Sequence, residues 1–360
     1  MGYHVLINFN ICILYFSTVF HELGHALAAD CHDIKIFGYG LFIFILIPAA
    51  FVDLSTAELK SISYMEQLKI YTAGVYHNLI LAVVSFILMV SLPYLSIPLY
   101  EKNEGIMILS IRNSSSVSGP SGLRIGHIVT EVNECKVSNI SDFYSCLRHE
   151  ASILPSYCVK IDGKNCEDCC IDKYNNGSFL NWSKAGYIKD TANYCLSVRE
   201  VITLKSKRCK ISEDCNSDMQ EYCLSPKVSF PNESLWVMPR KDQKDFLFIG
   251  SLSDIYFGIE SVTDYLPKYD TLKNLSLFLP VIIEKILYYT TSFSLALGLI
   301  NIVPCVMLDG QHATRALCGL CFDSNNSYYN HDRISNWLVY SGSILLFANL
   351  CISLFVMQWL

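Results

Sequence analysis

Long stretches of the 360-residue sequence lack any charged side chain. Asp, Glu, Lys and Arg are absent from residues 1–20, 36–52, 70–100, 286–308 and 334–360. Overall, 52% of the residues are hydrophobic and 17% are charged, which is too apolar for an ordinary soluble domain. A helix needs roughly 20 apolar residues to cross a bilayer, so four of these runs are long enough and residues 36–52 are marginal. The sequence therefore predicts a polytopic α-helical membrane protein.

An excess of basic residues is also missing. The net charge is −6, so nothing in the charge balance suggests nucleic-acid binding. A secretory signal peptide is the alternative for residues 1–20, but no basic residue precedes the apolar run and no small-residue cleavage site follows it.

The marginal run 36–52 contains Gly38, Gly40 and Pro48. We expect it to be re-entrant, or to form strands buried against protein, and not to be a lipid-facing helix.

Cysteines and glycosylation sequons are concentrated in the polar middle of the chain. Ten of the 16 cysteines lie between residues 135 and 223, at positions 135, 146, 158, 166, 169, 170, 195, 209, 215 and 223. Six Asn-x-Ser/Thr sequons begin at Asn113, Asn139, Asn176, Asn181, Asn232 and Asn274. Together they predict disulfides in an oxidising, glycosylating lumen. A zinc ribbon is the alternative, although a clean pair of C-x-x-C motifs is missing.

A luminal middle block fixes a topology for the apolar runs. If residues 101–285 are luminal, the helix near 70–100 runs from cytosol to lumen, and the helix near 286–308 returns. The first helix, near residues 4–28, then ends toward the cytosol. Two polar constellations, His21 to His25 and Asp309, are thereby predicted to lie at the same cytosolic side of the membrane.

The first constellation is His21-Glu22-Leu23-Gly24-His25. Residues i and i+4 share one face of a helix, so both histidines can bind one metal ion. Glu22 can hold a water beside that ion and take its proton, because zinc lowers the pKa of a bound water to about 7. The motif alone occurs by chance in soluble helices. Here it adjoins an uncharged run, where each ionisable group costs about 2.5–3.5 kcal/mol, so such groups are rarely without function.

A zinc hydrolase needs a third protein ligand, and another apolar run supplies a candidate. Asp309 follows 23 uncharged residues and offers a carboxylate, although a plain helix-terminating Asp-Gly pair is the simpler interpretation of Asp309 and Gly310. Asn78 lies in the run 70–100, where its amide can stabilise a substrate backbone or a developing oxyanion. An interhelical hydrogen bond is an equally good interpretation of Asn78. His77 is a weaker candidate for an accessory polar group.

Together these residues resemble the eukaryotic site-2 proteases, the membrane-bound transcription-factor peptidases. His21 to His25 match the zinc-helix motif of the family. Asn301, Pro304 and Leu308-Asp309-Gly310 match its second metal motif, and Ala73-Gly74 to Asn78 match its core helix. The resemblance runs in motif order across nearly the whole chain. Members of the family carry further sequence with a membrane segment before the zinc helix, whereas 20 residues precede His21 here.

The resemblance also implies a domain organisation. Residues 1–100 would be a membrane block with the zinc helix, the re-entrant segment and the core helix. Residues 101–150 would be a luminal PDZ-like domain, in which His127 replaces the usual Asp. Residues 151–285 would be a cysteine-rich, glycosylated luminal insertion, and residues 286–360 a second membrane block with the third zinc ligand. The implied fold is a site-2-protease-type transmembrane core with an inserted luminal PDZ-like domain and cysteine-rich segment.

The function implied by the resemblance is regulated intramembrane proteolysis. The chain would bind one Zn²⁺ through His21, His25 and Asp309, with Glu22 and Asn78 as catalytic residues. Its substrates would be single-span membrane proteins already trimmed on the luminal side, such as sterol-responsive and ER-stress transcription factors. It would act in the Golgi or ER membrane, in contact with lipid. The alternatives are a catalytically inactive relative, a channel or transporter, and a luminal cysteine-rich receptor.

Overall fold

The computed structural model describes residues 3–44, 47–118, 122–153, 155–160, 179–185, 194–203, 207–216, 220–228, 232–241, 244–269, 277–322 and 328–357. The chain divides into two compact units, a membrane unit (residues 1–95 and 281–360) and a polar unit (residues 96–280). Three of the predicted luminal cysteines and two of the six sequon residues lie outside the described ranges: Cys166, Cys169, Cys170, Asn176 and Asn274.

In chain order the helices are α1 (Tyr3–Asp30), α2 (Thr56–Ser61), α3 (Tyr64–Ser96), α4 (Ile140–Glu150), α5 (Val198–Thr203), α6 (Leu252–Gly258), α7 (Leu279–Asn301), α8 (Asp309–Phe322) and α9 (Tyr328–Met357). The strands are β1 (Ile36–Phe44), β2 (Ile47–Leu54), β3 (Tyr100–Glu101), β4 (Ile106–Ile111), β5 (Ile128–Val129), β6 (Glu131–Val132), β7 (Cys135–Lys136), β8 (Tyr157–Lys160), β9 (Phe179–Lys184), β10 (Tyr194–Ser197), β11 (Glu221–Pro226), β12 (Glu233–Met238), β13 (Phe246–Ser251), β14 (Ile259–Thr263) and β15 (Leu266–Pro267).

The membrane unit is built from long apolar helices, as the uncharged runs predict. Stretches of α1, α3 and α9 are long and apolar enough to cross a membrane, namely Phe9–Asp30, Tyr64–Ser96 and His331–Ser353. Helix α7 also has the length of a span, 23 residues. It contains the charged pair Glu284 and Lys285 near its start.

The marginal run 36–52 forms an antiparallel hairpin of β1 and β2. The prediction of strands in place of a helix is thus confirmed. The segment is rich in aromatic and β-branched residues, which favour strands. The expectation that the strands are buried against protein is wrong for β1. Strand β2 packs against α1, whereas the side chains of Phe37 and Tyr39 on β1 are 68% and 85% exposed.

The apolar run 286–308 is not one helix. Helix α7 ends at Asn301, and α8 begins at Asp309. Between them Pro304 lacks the backbone N–H that a helix interior requires, and Met307 adopts a positive φ of 73°. Asp309 is therefore the first residue of a helix. The simpler interpretation, in which the Asp-Gly pair ends a helix, is wrong.

The polar unit has two hydrophobic cores. The first joins β4, β5, β6 and α4 to β12, β13, α6 and β14, with Phe143 and Trp236 almost fully buried in it. Its three-stranded sheet has the order β14-β4-β5. Residues on both sides of the cysteine-rich stretch thus share one core. The second core lies on the four-stranded sheet β10-β9-β11-β8 around the buried Trp182.

The disulfides predicted for the middle of the chain are confirmed. They join Cys135 to Cys146, Cys158 to Cys215, and Cys209 to Cys223. Cys195 is also disulfide-bonded. The free cysteines of the described residues all lie in the membrane unit, at positions 12, 31, 305, 318, 321 and 351. Among the described residues, the disulfide-bonded cysteines therefore lie in the polar unit and the free cysteines in the membrane unit.

Candidate metal centre

Two histidines on one face of α1 and an aspartate at the start of α8 meet inside the membrane unit. The Nε2 atoms of His21 and His25 are 3.3 Å apart, as the i, i+4 spacing predicts. The Oδ2 atom of Asp309 lies 2.8 Å from His21 Nε2 and 3.1 Å from His25 Nε2. Both histidines are buried, at 3% and 8% exposure. The structure thus brings together the three residues that the sequence suggests as metal ligands.

The position of Asp309 follows from the start of α8. The free N–H groups of a first helical turn, with the helix dipole, favour a negative charge there. The backbone reaches this point through the non-helical segment 302–308, which turns the chain away from α7. The carboxylate therefore faces the histidine side chains of α1.

The second ring nitrogen of His25 is also engaged. Its Nδ1 atom lies 2.9 Å from the carbonyl oxygen of Ile70 on α3, to which an Nδ1–H donates. Ile70 is fully buried in a cluster with Ala29, Ile34 and Leu59, so this carbonyl is held in place by packing. A proton on Nδ1 leaves the Nε2 lone pair free for a metal, the outer-shell arrangement usual for metal-binding histidines.

His21 is held in the same manner by Asn78 on α3. The Asn78 side chain is fully buried, with its Nδ2 atom 3.0 Å from His21 Nδ1 and its Oδ1 atom without a hydrogen-bond partner among the described residues. Rotating the amide by 180° places its oxygen on His21 Nδ1, which then carries the proton and donates it. His21 Nε2 is then the metal-binding nitrogen. The amide of Asn301, at the end of α7, lies 3.3 Å from that atom.

Gly74 on α3 keeps space beside both histidines. A Cβ atom at this position would lie 2.6 Å from His21 Nε2 and closer still to His25 Nε2. No side chain larger than hydrogen fits there without displacing an imidazole. The glycine one helical turn before Asn78 is therefore part of the site.

This donor set fits zinc. Two imidazole nitrogens and one carboxylate oxygen are ordinary zinc ligands, and three protein ligands are typical of sites that keep a fourth position open. The three ligand atoms lie within 4.8 Å of one another. Tetrahedral bonds of about 2.0–2.1 Å would place neighbouring ligand atoms about 3.3 Å apart, close to the separations found here. His21, His25 and Asp309 are the residues that would hold the ion.

Glu22 adjoins these ligands. It follows His21 on α1, is partly buried, and interacts electrostatically with His25, His21 and Asp309. The backbone of Val52 on β2 also interacts with its carboxylate. The hairpin thus contacts an acidic side chain that stands beside the candidate ligands without belonging to them.

Sequence reasoning missed part of this arrangement. His77 is directed elsewhere, with its Nδ1 atom 2.8 Å from the carbonyl oxygen of Ala73. The roles of the Ile70 carbonyl and of Gly74 depend on how α3 packs against α1, so no residue pattern in the sequence announces them. Asn301 was noted only for its place in a motif, and its position beside His21 is visible only in the fold.

The fold and the site define a polytopic membrane protein with a three-ligand metal centre inside its helical unit. The model for peptidase family M50 matches residues 9–348, and the chain belongs to this family of membrane metalloproteases. The chain is similar to a membrane-bound transcription factor site-2 protease homolog of Arabidopsis thaliana, with 23% identity over 342 residues. The match covers 81% of this chain and 66% of the relative, so the chain spans just under two thirds of that protein's length.

Proposed function

We propose that the chain is a zinc-dependent endopeptidase that cleaves peptide bonds within the membrane. One observation carries the proposal. Two histidines and an aspartate from different helices place three metal-ligand atoms within 4.8 Å of one another, beside Glu22. A channel or transporter would also use buried polar groups. It would have no need of a carboxylate between two histidines at ligand spacing.

The chemistry is hydrolysis of an amide. Bound zinc would supply a Lewis acid that polarises the substrate carbonyl and makes water acidic near neutral pH. Glu22 accepts one proton from the attacking water as the new C–O bond forms, and it delivers a proton to the leaving amine as the C–N bond breaks. Asn78 holds His21 in the required tautomer. The backbone of Val52 interacts with the Glu22 carboxylate from the hairpin.

The proposed substrates are single-span membrane proteins that have already been trimmed on the luminal side. Membrane-anchored transcription factors, including sterol-responsive and ER-stress factors, are the clients implied by the resemblance to site-2 proteases. Peptide bonds in a spanning helix are hydrogen-bonded and hidden, so the substrate must unwind before it is cut. We expect cleavable segments to contain Asn, Gly or Pro near the cut, and replacement of these residues by Leu and Ala to block cleavage.

We propose a Golgi or ER location, with the polar unit in the lumen and the metal centre toward the cytosolic side. The cysteines support this orientation. The polar unit contains the disulfides, which persist in oxidising compartments, whereas the free cysteines of the described residues lie in the membrane unit. Two sequon residues of the polar unit, Asn113 and Asn232, are exposed and can accept a glycan. The unaltered chain should show an endoglycosidase-sensitive shift on gels, and replacing both asparagines by Gln should reduce it. An unaltered chain without any endoglycosidase-sensitive shift would contradict the orientation.

Cleavage of a tagged single-span substrate tests the proposal. The assay compares the chain with its Glu22→Gln variant, in cells that lack their own enzyme. Glu104→Gln, an exposed substitution in the polar unit, is the matched control. Release of the cytosolic fragment by the chain and by Glu104→Gln, but not by Glu22→Gln, is the expected result. Equal release with Glu22→Gln, or none with any form, would contradict a glutamate-dependent protease.

A further inference from the structure

The segment 302–308 leads directly to the third candidate ligand, Asp309, but has few backbone hydrogen bonds of its own. It joins the end of α7 to Asp309, and its internal backbone hydrogen bonds run from Cys305 N to Val303 O at 2.7 Å and from Leu308 N to Cys305 O at 3.2 Å. Met307, directly before Leu308, has a φ of 73°, which is strained for a residue with a side chain. A strained loop keeps one shape only if its surroundings hold it there.

Helix α9 holds the loop by packing against it at Gly342. The backbone of Pro304 lies against this glycine so closely that a Cβ atom there would be 3.1 Å from Pro304 C and Cγ. The same Cβ would be closer still to the Pro304 carbonyl oxygen. The middle of the loop thus packs directly on the helix backbone. This close approach is available only to glycine.

The next residue of α9 binds the loop by a hydrogen bond. The backbone N–H of Val306 donates to the Ser343 hydroxyl oxygen at 3.0 Å. That hydroxyl in turn donates to the carbonyl oxygen of Val339 at 2.7 Å, which fixes its rotation. The lone pair of Ser343 is therefore aimed at Val306, three residues before Asp309.

Helix α8 binds the neighbouring loop amide. The N–H of Met307 donates to the Oε1 atom of Gln311 at 3.1 Å, so consecutive amides of the loop are held by side chains of two different helices. Helix α9 contributes none of the three candidate ligands. Its contacts with the loop nevertheless determine where the loop delivers Asp309.

We propose that Gly342 and Ser343 are positioning residues for the metal centre: they form a seat on α9 that fixes the loop 302–308 and, through it, the carboxylate of Asp309. The inference rests on the proposed zinc site. It assigns to the last spanning helix a role in metal affinity. Any displacement of α9 along Pro304 and Val306 would be transmitted to the third ligand.

Metal affinity of the purified full-length chain in detergent tests this seat. Zinc dissociation constants from chelator competition are compared for the unaltered chain and for Ser343→Ala, Ser343→Thr and Gly342→Ala. The matched control is Ser341→Ala. Among the residues that the structure describes, the Ser341 hydroxyl donates only to the Leu338 carbonyl of its own helix, at 2.9 Å. The visible absorption of bound Co²⁺ is recorded for each variant, because its intensity reports coordination geometry independently of proteolysis.

We expect Ser343→Ala to weaken zinc binding roughly 10-fold and Gly342→Ala by up to roughly 100-fold, the range usual for loss of an outer-shell contact. Both variants should alter the Co²⁺ spectrum, whereas Ser343→Thr and Ser341→Ala should match the unaltered chain. Equal affinity and equal spectra for Ser343→Ala and Ser341→Ala would overturn the seat while leaving the metal centre intact. Failure of the unaltered chain to bind zinc would instead refute the metal centre, and the seat with it.

Discussion

The Nε2 atom of His21 lies 2.8 Å from the Oδ2 atom of Asp309, although 288 positions separate the two residues in the chain. The candidate metal centre is therefore assembled from the beginning and the end of the membrane unit. Helix α3 lies between them in sequence and supplies the Ile70 carbonyl, Gly74 and Asn78. The ligands are brought together by the packing of these helices, so variants that disturb the packing should report on metal binding.

Replacing Gly74 by Ala should abolish tight zinc binding. The added Cβ would lie 2.6 Å from His21 Nε2 and would push at least one imidazole out of position. The matched control is Gly38→Ala in β1, where an added Cβ has nothing within 4 Å. The measurement is zinc content after dialysis, by atomic emission. Full zinc content in Gly74→Ala would contradict the geometry of the site.

Replacing Asn78 by Leu should weaken zinc binding roughly 10- to 100-fold, because His21 loses the partner that fixes its tautomer. The fold should survive, since Leu fills the same buried space. Asn349→Leu is the control, since Asn349 is exposed and, within the described part of the chain, donates only to the Leu345 carbonyl of its own helix. Chelator competition gives both affinities. An Asn78→Leu variant with the affinity of the control would show that His21 needs no support from α3.

The sequence is sufficient to predict three of the candidate spans and the three residues that meet at the candidate metal centre, for separate physical reasons. Charge-free runs are required in a bilayer, so α1, α3 and α9 follow from composition alone. The spacing of His21 and His25 is a local property of one helix. Asp309 was found because a zinc hydrolase needs a third ligand, and because the resemblance points to the same residue.

The remaining features depend on tertiary contacts that a single sequence does not encode locally. The exposure of Phe37 and Tyr39 could not be predicted, because apolar residues in a strand look the same whether they face protein or bilayer. The end of α7 at Asn301 is an exception, because Pro304 is a helix-breaking residue that the sequence contains. The shared core of the polar unit joins residues as distant as Ile106 and Val262, a long-range pairing without a local signal.

The polar unit should lose stability as the pH falls below about 6.5. Burial lowers the pKa of His127 below its ordinary value of 6.5, and the guanidinium groups of Arg240 and Arg124 lower it further. The Nδ1 atom of His127 accepts from the Arg124 N–H at 3.0 Å and lies 3.2 Å from Arg240 Nη1, so the neutral ring is the one the fold requires. The unfolded chain binds the proton more readily, so stability is full above 6.5 and declines below it.

His127→Asn tests the pH effect, because its amide oxygen can accept the same hydrogen bonds and does not titrate. Thermal unfolding of the polar unit is followed at about pH 7.5 and about pH 5.5. The midpoint of the unaltered chain should fall more between the two conditions than that of the variant. An equal fall in both would mean that other groups account for the acid sensitivity.

Removing the disulfide between Cys158 and Cys215 should destabilise the polar unit by about 2–4 kcal/mol. This bond spans 57 positions and stabilises mainly by restricting the unfolded chain. The double variant Cys158→Ser and Cys215→Ser is compared by thermal unfolding with Cys351→Ser, which removes an exposed free thiol of α9. Equal unfolding midpoints, or free thiols at both positions by alkylation and mass spectrometry, would contradict the bond.

Zinc K-edge X-ray absorption of the purified chain tests the central claim most directly. We expect one zinc per chain in a four-coordinate shell of nitrogen and oxygen. Its clear imidazole contribution should disappear in the double variant His21→Ala and His25→Ala. Sulfur scatterers at about 2.3 Å would instead place the metal on cysteine thiolates. That result, or an absence of bound zinc, would contradict a metal centre at His21, His25 and Asp309.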